Sequence, residues 1–156
     1  MAESDLFTPF NPLQITHIEE DIADLMNNEP ITIITIDDHP LIREAIRSLL
    51  ASRNDMTLIG EGWVGEHLLT LAEQHQPDVV ILDLGMPQFA DGQQQDRFAI
   101  MPALATLNER FPQTAVIILS QYAMKSIIQE AIEVGVKGYL LKSDNLSLNL
   151  TGAIEA

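Results

Sequence analysis

Five short apolar runs constrain this chain more than anything else in it. Ile31–Ile36, Met56–Ile59, Val79–Leu82, Ala115–Leu119 and Gly138–Leu141 are followed at once by polar, charged or glycine residues. Runs so short and so rich in aliphatic side chains read as strands buried on both faces, as in a parallel sheet. Between them lie segments with helical spacing. Pro40 suits a first helical position, and Leu41, Ile42, Ala45, Ile46, Leu49 and Leu50 follow on one face. Glu66 to Gln76 carries Leu68, Leu69, Leu71 and Ala72 and is stopped by Pro77. Ile100 to Arg110 has Pro102 in its first turn, and Ser126 to Val134 is closed by Gly135. A last helix is predicted from Asn149 to Ala156, without a capping residue, and is expected to be truncated. Strands alternating with helices at this spacing imply βα units, a parallel sheet and right-handed crossovers.

The first 29 residues do not share this pattern and are predicted to be an extension of the domain that occupies 30–156. Ala2 to Pro12 has no periodicity. Thr16-His17-Ile18-Glu19 matches a capping box, and Ile18, Ile22, Leu25 and Met26 then suggest a short amphipathic helix to about Asn27. Gln88 to Phe98 is Gln-rich and poor in core residues, so it reads as a loop.

Charge and composition exclude several functions. Net charge is −15, with only eight Lys plus Arg spread along 156 residues. That leaves no basic patch for a phosphate backbone or an anionic membrane, and favours a cation or a basic partner. No apolar run approaches the roughly 20 residues of a membrane helix. The acidic start lacks the pattern of a signal peptide. The absence of cysteine rules out thiolate chemistry and a disulfide framework and fits a cytoplasmic location. Of the four histidines, only His67 and His75 have ligand-like spacing, and a solvated helix face is the simpler reading of that pair.

What remains is a set of polar groups at the carboxyl ends of the strands: Asp37 and Asp38, Glu61, Asp83, Ser120 and Lys142. In an open α/β sheet, ligands bind at those ends. Several carboxylates in one crevice repel, so one pKa should rise unless a cation intervenes. Hard oxygen donors suit Mg²⁺. A divalent ion would let an anionic phosphoryl group approach a carboxylate nucleophile, with a lysine and a hydroxyl holding its oxygens.

The order Ile36-Asp37-Asp38-His39-Pro40, then Val79 to Asp83 with Leu84-Gly85-Met86-Pro87, then Ile118-Leu119-Ser120, then Gly135 to Lys142 closely resembles the receiver domain of bacterial two-component response regulators. The Asp-Asp-His-Pro start and the Gly-Tyr-Leu-Leu-Lys-Ser block are most similar to receivers that precede a LuxR/NarL-type DNA-binding domain. The resemblance implies a doubly wound, flavodoxin-like, five-stranded α/β sheet. It implies that Asp83 is the phosphoacceptor for a sensor histidine kinase. Asp38 would contact Mg²⁺ directly, Asp37 through water, and Gly85 through its backbone carbonyl. Ser120 and Tyr139 would be the switch pair and Lys142 the cation on the phosphoryl group. Transcriptional output would lie in a DNA-binding domain beyond this chain. A homodimer through an exposed helix face fits the resemblance, although no stretch marks the face.

Some features depart from the family pattern. The loop after Pro87 is longer than in a typical receiver if Asp91-Gly92 matches the usual Asp-Gly. Ser143 follows Lys142 where many receivers have proline, and Gln121 is larger than the residue often found after the hydroxyl. Two other classes stay open at this point. One is a receiver-like interaction module that is never phosphorylated. The other is a Mg²⁺-dependent aspartate-nucleophile phosphohydrolase, although such enzymes usually carry Asp-x-Asp where this chain has Gly85.

Overall fold

The computed structural model describes residues 29–87, 99–142 and 146–156. The helix expected near Thr16–Asn27, the Gln-rich loop and Ser143 lie outside the described residues. Strand β1 (Ile31–Ile36) leads to α1 (Pro40–Ala51), β2 (Met56–Gly62), α2 (His67–His75) and β3 (Val79–Asp83). Then come α3 (Ile100–Arg110), β4 (Ala115–Ser120), α4 (Lys125–Glu133), β5 (Gly138–Leu141) and α5 (Leu146–Glu155). The strands are all parallel and lie in the order β2-β1-β3-β4-β5. The chain is therefore doubly wound, and the strand order reverses between β1 and β3.

The alternation of side chains along each strand explains why the runs are apolar throughout. Ile34, Ile36, Val80, Leu82, Val116 and Ile118 point to one face, where Leu68, Ala72, Leu104, Leu107 and Ala131 of α2, α3 and α4 cover them. Ile33, Val79, Ile81, Ile117 and Leu119 point to the other and meet Ile46 and Leu50 of α1 and Leu150 and Ile154 of α5. A one-residue slip in any central strand would exchange its whole set between the two layers, so the register is strongly specified. Fully burying each such side chain stabilises the fold by about 1.5–3 kcal/mol.

Two boundaries differ from the sequence reading. Strand β2 runs on to Gly62, because Gly60, Glu61 and Gly62 pair with Ile34, Thr35 and Ile36 after a register shift. The glycines serve close approach here. A Cβ on Gly62 would meet His67 Cβ at 2.7 Å, and one on Gly60 would meet the His75 ring at 3.2 Å. His67 and His75 are thus half-buried against β2 rather than lying on a solvated face. Helix α5 begins at Leu146, three residues before the expected Asn149, and buries Leu150 and Ile154 one turn apart. Among the described residues no helix is long and apolar enough to cross a membrane.

Candidate functional site

At the carboxyl end of β1, the backbone N–H of Asp37 donates to the Gly62 carbonyl at 3.0 Å, extending the pairing with β2 by one residue. Arg43 Nη1, from α1, donates to the Asp37 carbonyl at 2.7 Å. The Asp37 side chain turns back to accept the His39 N–H at 2.8 Å, just where Pro40 starts the helix. These bonds leave Asp37 almost fully buried, with its carboxylate facing the crevice between β1 and β3.

Asp83 closes β3 on the far side of that crevice and is 2 % exposed. Lys142, just past β5, reaches both acids: its Nζ is 2.9 Å from Asp83 Oδ1 and 3.0 Å from Asp37 Oδ2. The lysine is held by its own backbone N–H, which donates to the Ser120 carbonyl at 2.8 Å. Burial, and then the charge of Asp37, push the Asp83 carboxyl from 3.8 up to about 7, against the downward pull of Lys142. One ammonium therefore only partly offsets the acid pocket.

Asp37, Asp38 and Asp83 converge as the sequence suggests, and His39 joins them. Its Nδ1 lies 2.8 Å from Asp37 Oδ1, 3.1 Å from Asp38 Oδ1 and 3.7 Å from Asp83 Oδ2. Sequence reasoning gave His39 no role; the available signal was its place directly after two strand-end acids. Glu61 does not join the pocket. Arg47 grips it through two hydrogen bonds of 2.8 and 3.0 Å, and Arg43 stands nearby. Trp63, also beyond β2, is half-exposed between the His67 ring edge and the Arg43 guanidinium.

Ser120 and Tyr139 are near neighbours but bond elsewhere. Ser120 Oγ donates to the Tyr122 carbonyl at 3.1 Å and accepts the Tyr122 N–H at 3.2 Å. Tyr139 Oη donates to the same carbonyl at 2.9 Å. Both hydroxyls thus hold the turn between β4 and α4. Gly85 has φ +89°, a left-handed conformation that a side chain would strain, with nothing within 4 Å of where its Cβ would be. Pro87 then ties this loop down by accepting the Gly65 N–H at 2.8 Å.

The residues fit a hard divalent cation. Asp38 Oδ1 and Asp83 Oδ2 are buried oxygens with no hydrogen bond, a costly state for a charged group. A cation bound by Asp37, Asp38 and Asp83 would satisfy them, and oxygen donors of this kind suit Mg²⁺.

The sequence model described as the response regulator receiver domain matches residues 33–151. An uncharacterised transcriptional regulatory protein of Bacillus subtilis, YxjL, is 34 % identical over 84 % of this chain and 56 % of its own length. The nitrate/nitrite response regulator protein NarL of Escherichia coli is 33 % identical over 76 % of the chain and 50 % of its own length. The chain thus spans about half the length of the curated relatives it matches. A two-component response regulator of the LuxR family from Aurantimonas sp. superposes with a TM-score of 0.68 at 25 % identity, covering 81 % of this chain and 84 % of that one.

Proposed function

This chain belongs to the response regulator receiver domain family and is of the LuxR/NarL type, and on that premise we propose that it is a phosphoacceptor switch whose acceptor is Asp83. One observation carries the proposal: at the crevice where the strand order reverses, a buried Asp83 lies beside Asp37 and Asp38 and within 2.9 Å of Lys142.

In this reading the Asp83 carboxylate attacks the phosphorus of a phosphohistidine on a sensor kinase. An acyl phosphate bond forms as the phosphorus–nitrogen bond breaks, and the imidazole leaves. Bound Mg²⁺ supplies the positive charge that lets one anion approach another. Asp38, and Asp37 through water, would hold the ion, with the Gly85 carbonyl as a further donor. Lys142 exchanges part of its pairing with Asp37 for a phosphoryl oxygen, a stronger charge-assisted bond. Ser120 gives up the Tyr122 carbonyl to donate to another phosphoryl oxygen, and Tyr139 repacks as the turn relaxes. The turn and α4 are then the two-state element biased by a local charge event.

No catalytic turnover is required of such a protein. The reading also places it in the cytoplasm, with residues 1–29 as an extension of the receiver at 30–156. It assigns DNA binding to an output domain of the longer protein and allows a homodimer. The test is to incubate the protein with Mg²⁺ and a small acyl phosphate and measure intact mass. One added phosphoryl group is expected on the native chain and none on Asp83→Asn or with EDTA. Labelling that survives Asp83→Asn overturns the assignment, and steady turnover on small phosphate esters replaces the switch with a hydrolase.

A further inference from the structure

Strand β2 ends the strand order, so one side of it has no strand neighbour. Main-chain groups along such an edge are a template for pairing with another chain unless something covers them. A groove of about 520 Å³ follows this edge, walled by the end of α1 and running from Met56 to Glu61. Leu58 and Ile59 both line it and are half-buried, although they pack into opposite layers of the core. The groove therefore runs along the strand's edge rather than over one face of the sheet.

Two arginines stand at its rim. Arg47 turns Nε and Nη2 to Glu61, and Arg53 turns the same nitrogens to Asp55 and Glu155. Among the described residues Nη1 of each has no hydrogen bond, so each guanidinium keeps a donor for a further acid.

Residues 16–27, outside the described residues, have the composition that such a groove takes. Ile18, Ile22, Leu25 and Met26 fall on one stripe at helical spacing, and Glu19 and Asp21 border it on its two sides. The segment has four acids, with Glu20 and Asp24, and no Lys or Arg. An isolated helix of about 12 residues is marginal in water, so the stripe needs a surface to bury it. The tether selects the surface. Only Asn28, Glu29 and Pro30 separate residue 27 from Ile31, which pairs with Met56 at the near end of the groove. Those four steps span at most about 14 Å, so the segment is anchored beside the groove.

We propose that residues 16–27 dock in this groove of their own chain, their apolar stripe on Leu58 and Ile59 and one bordering acid toward Arg47 and Arg53. The tether holds the segment at a roughly millimolar effective concentration, so an interface too small to join two separate molecules suffices. Docked there, it covers the free edge of the sheet and blocks strand pairing with other chains.

The test uses the whole chain. It has no cysteine, so Ala51→Cys, exposed at the end of α1, carries a benzophenone maleimide at one defined place. A mixture of ordinary and ¹⁵N-labelled chains is irradiated, digested and analysed by mass spectrometry. Cross-links to residues 16–27 are expected, joining peptides of the same isotope. The same label at Glu133→Cys, at the exposed end of α4, should not reach the segment. Ile22→Asp should lower the cross-link yield and speed amide hydrogen exchange of Met56–Gly60, each by about tenfold, whereas Glu20→Ala should change neither. Cross-links between the two isotopes overturn the proposal and give the groove to the segment of a second copy. Equal yields from the two label positions, or unchanged exchange in Ile22→Asp, overturn it by showing that the segment does not cover this edge.

Discussion

Asp78 and Asp83 stand five residues apart at opposite ends of β3. Asp78, at the amino end, has its partners supplied by the fold. Its Oδ2 accepts from Thr32 N–H at 2.9 Å and Thr32 Oγ1 at 3.0 Å, while its own N–H donates to the Thr32 carbonyl and its carbonyl accepts the Ala115 N–H. Asp83, at the carboxyl end, is buried with one oxygen left without a hydrogen bond and a second acid in contact with its only lysine. The first carboxylate fastens strands together; the second carries a cost that a ligand would relieve. Residue type is the same and one strand, β3, lies between the two, so the difference lies in what the neighbouring strands deliver to each end.

The largest effect expected from breaking this contrast is on chemistry. Lys142→Ala removes the ammonium from the pocket and should cut labelling by acyl phosphate at least tenfold while divalent-ion binding, read by calorimetry, persists. Thr32→Val, which strips a donor from Asp78, should leave labelling unchanged. Equal labelling in both variants would remove the role given to the lysine.

The next effect is on stability, and its sign differs between the two ends. The Asp83 carboxyl titrates near 7 in the fold, against 3.8 ordinarily. Between those values the native state holds more protons than the unfolded chain, so stability falls as pH rises from about 4 to about 7. Asp83→Asn should therefore be more stable than the native chain at pH 8 without divalent ions, by about 1–3 kcal/mol. The gain should be smaller at pH 5 and vanish below about pH 4, where Asp83 is protonated in the unfolded chain as well. Urea denaturation at the two pH values measures both, and a loss of stability at pH 8 would show that Asp83 is not strained.

Asp78→Ala should do the opposite, costing about 1–2 kcal/mol through its two hydrogen bonds. The smallest effect is expected at the turn. Ser120→Ala removes one of two donors to the Tyr122 carbonyl and should cost about 1 kcal/mol or less, also by urea denaturation. A larger loss would mean that the hydroxyl fastens the fold as Asp78 does.

How much of this could be read from the chain follows from the range of the forces involved. The central strands were legible because burial on both faces leaves no polar position in Val79–Leu82 or Val116–Leu119. The acids were legible because they end those runs. The far half of β2 was not, since Gly60 and Gly62 locally resemble a break and only their closeness to α2 shows their use. The start of α5 was missed because Ser147 and Asn149 favour turns in isolation, while Leu150 and Ile154 are fixed by packing against another layer. Glu61 looked like a member of the pocket until Arg47, on a different element, claimed it. His39 required knowing that three acids surround one nitrogen, a fact of folding that no spacing rule contains.

The Tyr122 carbonyl gives the fold a junction with two inputs. One hydroxyl comes from a strand end beside the acids and the other from the edge strand, and both load the same oxygen. Shifting either redistributes the load on the other, and the residue bearing that oxygen carries an aromatic ring 70 % open to solvent. A disturbance among buried charges is thereby translated into the posture of a surface side chain, without any strand in the sheet having to slide.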